Sequence, residues 1–139
     1  MPAKEIQDVF VAGSRFWNYK SQMLRYEELM KLPIICLERN TSTRRYVDAF
    51  LAENQVKLSP EFELATSDMI VQFAVQNLGI GCVVQDFAKR YLDAEELFVL
   101  QFDKQIPKRQ ICVVSDERLP LSLAAGKLME LLMQKDILE

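Results

Sequence analysis

The sequence contains no histidine among its 139 residues, and it has only four glycines and three cysteines. Without histidine the chain cannot form a Ser–His or Cys–His catalytic pair, a histidine-ligated metal site or an imidazole proton relay. Its 17 lysines and arginines are outnumbered by 20 aspartates and glutamates, which gives a net charge of −3. The chain therefore lacks the excess positive charge that is typical of nucleic-acid-binding domains.

The cysteines are widely spaced, and Cys36, Cys82 and Cys112 each lie in an apolar run. Because no Cys-x-x-Cys pair is present, the spacing favours neither a zinc site nor a disulfide framework. We predict that all three thiols are reduced and buried in the core. Because thiols stay reduced in the cytoplasm, we also predict a cytoplasmic protein. The N-terminal segment lacks the apolar region of a signal sequence, and no apolar run approaches the ~18 residues of a membrane span. We therefore predict no contact with a membrane.

Short apolar runs alternate with amphipathic segments along the chain, and half of the residues are apolar. This order predicts an α/β, Rossmann-like fold with a mixed, mainly parallel sheet flanked by helices. The predicted strands lie at 8–13, 34–37, 62–66, 79–84, 97–102 and 109–115. The predicted helices cover 26–32, 43–54, a segment that follows Ser67 and ends near Asn77, 86–92 and 121–134.

Ligands of such sheets bind where the carboxyl ends of strands meet helix N-termini. The strongest candidate is a polar loop between a buried strand and a helix, which consists of Asn40, Thr41, Ser42 and Thr43. Hydroxyls and free backbone N–H groups together can hold a carboxylate, phosphate or sulfate. Arg44 and Arg45 oppose the helix dipole in the first turn, and a bound anion would offset that cost. Alternatively, the hydroxyls only cap the helix and Arg44 pairs with Asp48.

A second loop, at residues 66–68, offers Ser67 as a helix cap and a ligand contact, or as a cap alone. The glycines of the Leu-Gly-Ile-Gly segment at 78–81 open a strand rather than a helix. They therefore do not make the phosphate loop of a dinucleotide-binding site. We interpret Gly79 and Gly81 as positions of close packing, and we predict no metal and no cofactor.

The order and spacing of three segments resemble the C-terminal effector-binding domain of LysR-type transcriptional regulators. The matching residues are Leu29, Pro33, Ile34 and Ile35; then Arg45, Asp48 and Phe50; then Val75, Leu78, Gly79 and Ile80. The resemblance extends from about residue 8 to residue 133. Two positions depart from the family pattern, because Asn77 replaces a glycine and Val84 replaces a proline.

The resemblance implies one lobe of a clamshell of the type 2 periplasmic-binding-protein kind. Residues 1–139 would be a partial effector-binding domain that contains the second lobe. Its crossover strands would lie near 8–13 and 109–114, and its closing helix at 121–134. A first lobe and a winged helix-turn-helix would lie outside the chain. Apolar side chains of the closing helix would then be exposed and favour self-association: Leu123, Leu128 and Leu131.

The function that the resemblance implies is ligand sensing by a transcriptional regulator and not catalysis. A small anionic metabolite would bind in the cleft between the lobes, in contact with Asn40, Thr41, Ser42, Thr43, Ser67 and Val84. The chain would form a homo-oligomer through helix 43–54 and strand 62–66, and it would act on DNA only through the missing N-terminal domain. Two alternatives remain: a solute-binding lobe of a transport system, and a small α/β enzyme that uses lysine, cysteine or carboxylate chemistry.

Overall fold

The computed structural model describes residues 1–134, and in this range strands and helices alternate along much of the chain. The strands are β1 (Pro2–Ile6), β2 (Asp8–Ala12), β3 (Met23–Leu24), β4 (Ile34–Leu37), β5 (Phe62–Leu64), β6 (Ile80–Val84), β7 (Phe98–Val99), β8 (Gln101–Phe102) and β9 (Arg109–Cys112). The α-helices are α1 (Ser42–Glu53), α2 (Ser67–Val75), α3 (Lys89–Asp93) and α4 (Leu123–Met133). Three short 3₁₀ helices cover Ser14–Tyr19, Tyr26–Lys31 and Gln85–Ala88.

The larger of two compact units comprises residues 7–107 and contains a five-stranded sheet. Its strand order is β5-β4-β6-β2-β7, in which β4 runs parallel to β5 and β6 while β2 runs antiparallel to β6 and β7. The prediction of an α/β fold with a mixed, mainly parallel sheet is therefore confirmed. Both β4 and β6 are buried along their whole length, because continuous apolar strands suit the interior of a sheet covered on both faces.

Helices α1 and α2 each begin at a threonine cap. The Thr41 hydroxyl accepts a hydrogen bond from the Arg44 amide, and the Thr66 hydroxyl accepts one from the Met69 amide. The prediction that Ser67 caps α2 is therefore wrong, since the cap lies one residue earlier and Ser67 is the first helical residue. Asn77 has a φ of 61°, as expected of an αL residue after a helix.

The smaller unit comprises residues 1–6 and the described residues from 108 onward. In it, β1 pairs antiparallel with β9, and α4 is capped by Ser122. The sequence analysis did not predict β1. The strand predicted at 8–13 is β2, which belongs to the five-stranded sheet, so the partner of β9 lies earlier in the chain than residue 8.

Several described side chains of the smaller unit are exposed because β1, β9 and α4 enclose little volume. Leu123, Leu128 and Leu131 of α4 are exposed, as the resemblance implied for a chain without the first lobe. Cys112 is exposed as well, and the prediction that it is buried is wrong. An apolar run of sequence is buried only where other elements pack against it, and among residues 1–134 the sheet that contains β9 has β1 as its one other strand.

Some predicted elements are shorter or more irregular than expected, among them the following three. The strand at 62–66 is β5, which ends at Leu64, and the helix at 26–32 is a 3₁₀ helix that ends at Lys31. The strand at 97–102 is interrupted at Leu100, so that β7 pairs with β2 and β8 pairs with β3. No helix within residues 1–134 combines the length and the apolar composition that crossing a bilayer requires.

Candidate functional site

Three loops meet at one edge of the five-stranded sheet because β5, β4 and β6 are adjacent and parallel. Strand β4 ends at Leu37, β5 at Leu64 and β6 at Val84. The Glu38 amide donates to the Leu64 carbonyl at 3.0 Å, which holds the loops after β4 and β5 together. The sequence-predicted contacts from all three strand ends therefore share one edge, as the carboxyl-end rule for parallel strands requires.

The Thr41 side chain organises the loop that precedes α1. Its hydroxyl donates to the Glu38 carbonyl at 2.9 Å and accepts from the Arg44 amide at 3.2 Å. This hydroxyl is therefore committed to the turn and to the cap. The amide of Ser42 precedes the first acceptor that a helix can offer it. Together with the exposed Ser42 hydroxyl, this amide is a donor that a ligand at the helix N-terminus could use.

Arg44 is buried, and its guanidinium ties α1 to two strands. Its Nε donates to Asp48 Oδ2 at 2.9 Å, and its Nη1 donates to the Leu37 carbonyl at the end of β4, also at 2.9 Å. A second carboxylate, Glu63 Oε2 on β5, lies 3.7 Å from Nη1. The alternative in which Arg44 pairs with Asp48 is therefore confirmed. Its positive charge in the first turn is offset within the protein and does not require a bound anion.

Arg45 and Arg39 lie on the outer side of the same loop and are exposed. Arg45 Nη1 donates to the Asn40 carbonyl at 3.2 Å, and Arg39 Nε lies 3.5 Å from Glu63 Oε1. Arg45 hydrogen-bonds to a neutral carbonyl and so keeps its full positive charge beside Ser42. The cationic character of the loop thus rests on Arg45 rather than on Arg44.

The other sequence-predicted contacts offer less surface. Ser67 is half-buried in the first turn of α2. Val84, the last residue of β6, is 7% exposed and pairs with Asp8 of β2. Gln85, the next residue, is exposed and lines a cavity.

That cavity has a volume of about 330 Å³, near the lower end of the roughly 300–1,000 Å³ of small-molecule sites. Its polar wall is formed by Gln7, Asp8, Gln85, Gln101 and Gln105. Sequence reasoning missed these residues because they lie on four separate segments. One signal was present: an antiparallel strand begins where its parallel neighbours end, so the start of β2 reaches the same edge as the end of β6.

Two of the cysteines, Cys36 on β4 and Cys82 on β6, lie on neighbouring strands of the sheet. Both are buried, as predicted. Burial raises the pKa of the Cys36 thiol to about 12 and raises the pKa of the Cys82 thiol well above its usual value. Neither thiol provides a thiolate near neutral pH. In residues 1–134, no three cysteine or carboxylate side chains cluster closely enough to hold a metal ion.

Comparison with known proteins gives one family match, to the LysR substrate binding domain, which covers residues 9–136. The transcriptional activator CmpR of Synechocystis sp. PCC 6803 is 31% identical over 73 residues. These residues are 52% of this chain and 24% of CmpR, so the match spans about a quarter of that protein. The matched family consists of binding domains and CmpR is a regulator, which agrees with the prediction that the chain is not an enzyme.

Two of the similar solved structures match this chain over its whole length. The regulatory domain of CcmR from Synechocystis PCC6803, in complex with 2-PG, superposes with a TM-score of 0.82 at 20% identity, and 68% of that chain is covered. The effector-binding domain of QuiR, in complex with shikimate, gives a TM-score of 0.80 at 15% identity and 66% coverage. At these identities the likeness establishes the fold, which is that of these effector-binding domains.

Proposed function

Because this chain belongs to the LysR substrate-binding domain family, we propose that it senses a small anionic metabolite through the loop before α1. The observation that carries this proposal is the position of Asn40–Thr43 at the carboxyl edge of the sheet, with a twelve-residue helix behind it. Ser67 of α2 and the end of β6 at Val84 lie along the same edge. The charge of Arg45 favours an anion over a neutral ligand at this loop.

Two features support a small molecule as the ligand. The two structural neighbours described above are complexes with small molecules, 2-PG in CcmR and shikimate in QuiR. The loop donors are the backbone amide and the hydroxyl of Ser42, which suit a single carboxylate or phosphate group rather than an extended surface. As part of a regulator, the domain would act in the cytoplasm. Ligand binding would change the action of a DNA-binding domain on DNA through a population shift between two conformations.

We expect shikimate to bind this chain more tightly than its uncharged methyl ester, and the double variant T41A/S42A to weaken shikimate binding by about tenfold or more. The reason is that the variant removes the exposed hydroxyl and loosens the amides that the Thr41 cap holds in place. Isothermal titration calorimetry measures both affinities.

Ser122→Ala is the matched control, because it removes an equivalent cap, from the Ala125 amide, in the smaller unit. We expect it to leave the affinity for shikimate within about twofold of that of the unaltered chain. The site assignment is wrong if T41A/S42A binds as the unaltered chain does, or if the methyl ester binds as tightly as shikimate.

We further propose that the chain forms a homo-oligomer through α1 and β5. Strand β5 is an edge strand of the sheet, and an edge strand offers unpaired N–H and C=O groups to a second copy. Phe62 on this strand is 36% exposed and packs edge-on against Phe73 of α2 at 5.2 Å between ring centroids. Along α1 the exposed positions include the small residues Ala49 and Ala52, which allow another helix to approach closely.

Phe62→Lys should shift the chain toward the monomer, with about a tenfold weaker association in sedimentation velocity. The lysine places a charge on the proposed interface, where desolvation is costly. Phe87→Lys is the control, since Phe87 is an exposed phenylalanine outside α1 and β5. If Leu128→Lys on α4 dissociates the oligomer and Phe62→Lys does not, association instead occurs through the closing helix.

A further inference from the structure

The cavity beside β2 has a flat aromatic wall that is already packed. The rings of Tyr26 and Phe102 stack with 4.2 Å between centroids and 6° between planes, and Phe10 meets Phe102 edge-on at 5.8 Å. The Tyr26 hydroxyl donates to the Lys104 carbonyl, which fixes its ring. Because neighbouring groups already hold these rings in place, their side chains lose little conformational entropy when a ligand binds. The aromatic character of the wall favours a ligand with a flat apolar face.

The opposite wall consists of carboxamides. Gln7 Nε2 donates to Gln105 Oε1 at 3.3 Å and to the Ile106 carbonyl at 3.1 Å, which links the first and last segments of the larger unit. Gln85 and Gln101 are exposed at the rim. Each carboxamide has two N–H donors and a carbonyl acceptor, so this wall can match both the donors and the acceptors of a neutral ligand.

The charges around the cavity disfavour an anion. None of the described residues that line it is a lysine or an arginine, and its acidic residue, Asp8, is buried. The nearby ammonium of Lys104 lies over the Phe50 ring, 5.7 Å from the centroid. Burial, with a contribution from Asp103, raises the pKa of Tyr26 to about 12, so its phenol stays neutral. Because the lining contains no cation, a carboxylate ligand would lose its hydration without gaining an ion-pair partner from these walls.

We propose that this cavity is a second binding site, which takes a small uncharged molecule with a flat apolar face and an amide or hydroxyl group. It shares no lining residue with the loop at Asn40–Thr43. The two sites also differ in electrostatics, since the loop carries Arg45 and a helix N-terminus whereas the cavity carries Asp8 and carboxamides. The site stands on its own walls and does not depend on what the loop binds.

Benzamide and benzoate are suitable probes because they have the same ring and nearly the same shape but differ in charge. In two-dimensional amide NMR spectra of the chain, benzamide should shift the signals of Gln7, Gln85 and Gln101. We expect a Kd of about 1–10 mM, as befits so small a ligand, and a Kd for benzoate at these residues at least about tenfold higher. Shifts of Ser42 and Thr43 with benzoate report on the loop, so each site is read separately.

Gln85→Lys places a cation on the exposed rim of the cavity and should strengthen benzoate binding there by about tenfold. Gln76→Lys is the control, because Gln76 is exposed at the end of α2 and does not line the cavity. It should leave both affinities unchanged.

The proposal is overturned if benzoate shifts the cavity amides of the unaltered chain at concentrations as low as benzamide does. It is likewise overturned if benzamide at about 20 mM, above the affinity range expected for a fragment of this size, shifts none of them. Equal gains in benzoate affinity for Gln85→Lys and Gln76→Lys would also overturn it, since the effect would then be one of net charge alone.

Discussion

Replacing Arg44 with alanine should lower the free energy of unfolding by about 2–3 kcal/mol. The variant leaves the carbonyl of buried Leu37 without its side-chain donor, which costs roughly 1–3 kcal/mol. It also leaves Asp48 and Glu63 without their buried cation, although both carboxylates keep some contact with solvent. The full 3–5 kcal/mol of a wholly buried ion pair is therefore not expected. Urea denaturation followed by circular dichroism measures the change.

The neighbouring arginine provides the control for this variant. Arg45→Ala removes the same charge from the same helical turn, but Arg45 is exposed and hydrogen-bonds only to the Asn40 carbonyl among the contacts described above. We expect it to change the free energy of unfolding by at most about 0.5 kcal/mol. A loss in Arg44→Ala no larger than that in Arg45→Ala would show that the contacts of Arg44 do not stabilise the fold.

The same two variants separate stability from ligand binding. Arg44 fixes the start of α1 against the end of β4, whereas Arg45 supplies the uncompensated charge at the loop. Under the proposed function, Arg45→Ala should weaken anion binding with little loss of stability.

Gly79→Ala should destabilise the larger unit by about 2–3 kcal/mol. A Cβ at this position would lie 2.8 Å from the Pro33 carbonyl oxygen and 3.0 Å from Ile35 Cγ1. The same carbonyl oxygen accepts the Ile80 amide at 2.8 Å where β4 and β6 begin to pair. It cannot move away without weakening that pairing, so the added methyl group acts as overpacking against backbone. Urea denaturation again provides the measurement.

Gly126→Ala is the matched control, since within residues 1–134 the added methyl group would meet no atom within 4 Å beyond its chain neighbours and the backbone of its own helix. Gly126 lies inside α4, and alanine is favoured over glycine in a helix by about 0.5–1 kcal/mol. We therefore expect this variant to be more stable than the unaltered chain. Should Gly79→Ala be as stable as the unaltered chain, the interpretation of Gly79 as a close-packing position is wrong.

The sequence was sufficient for features that depend on local order. The alternation of short apolar runs with amphipathic segments predicted the parallel strands β4, β5 and β6 and the helices that follow β4 and β5, because each pattern records which face of its own segment is buried. Because the carboxyl ends of parallel strands lie at the same edge of a sheet, the sequence also predicted that the loops at Asn40–Thr43 and Ser67 share one edge. The i,i+4 spacing of Arg44 and Asp48 likewise predicted their ion pair.

Features that depend on which distant segments meet were decided by the tertiary structure. Nothing local indicates that Gln7, Gln85, Gln101 and Gln105 converge, because antiparallel insertion of β2 between β6 and β7 brings them to one cavity. Cys36 and Cys112 lie in similar apolar runs, yet only the first lies in a strand covered on both faces. Sequence periodicity thus determined the elements and the sheet edge at which we propose that a ligand binds. The lack of histidine and of excess positive charge had excluded classes of site but had not located one. Packing determined which side chains are exposed and where the chain encloses a second, uncharged-ligand site, since burial depends on neighbours far away in sequence.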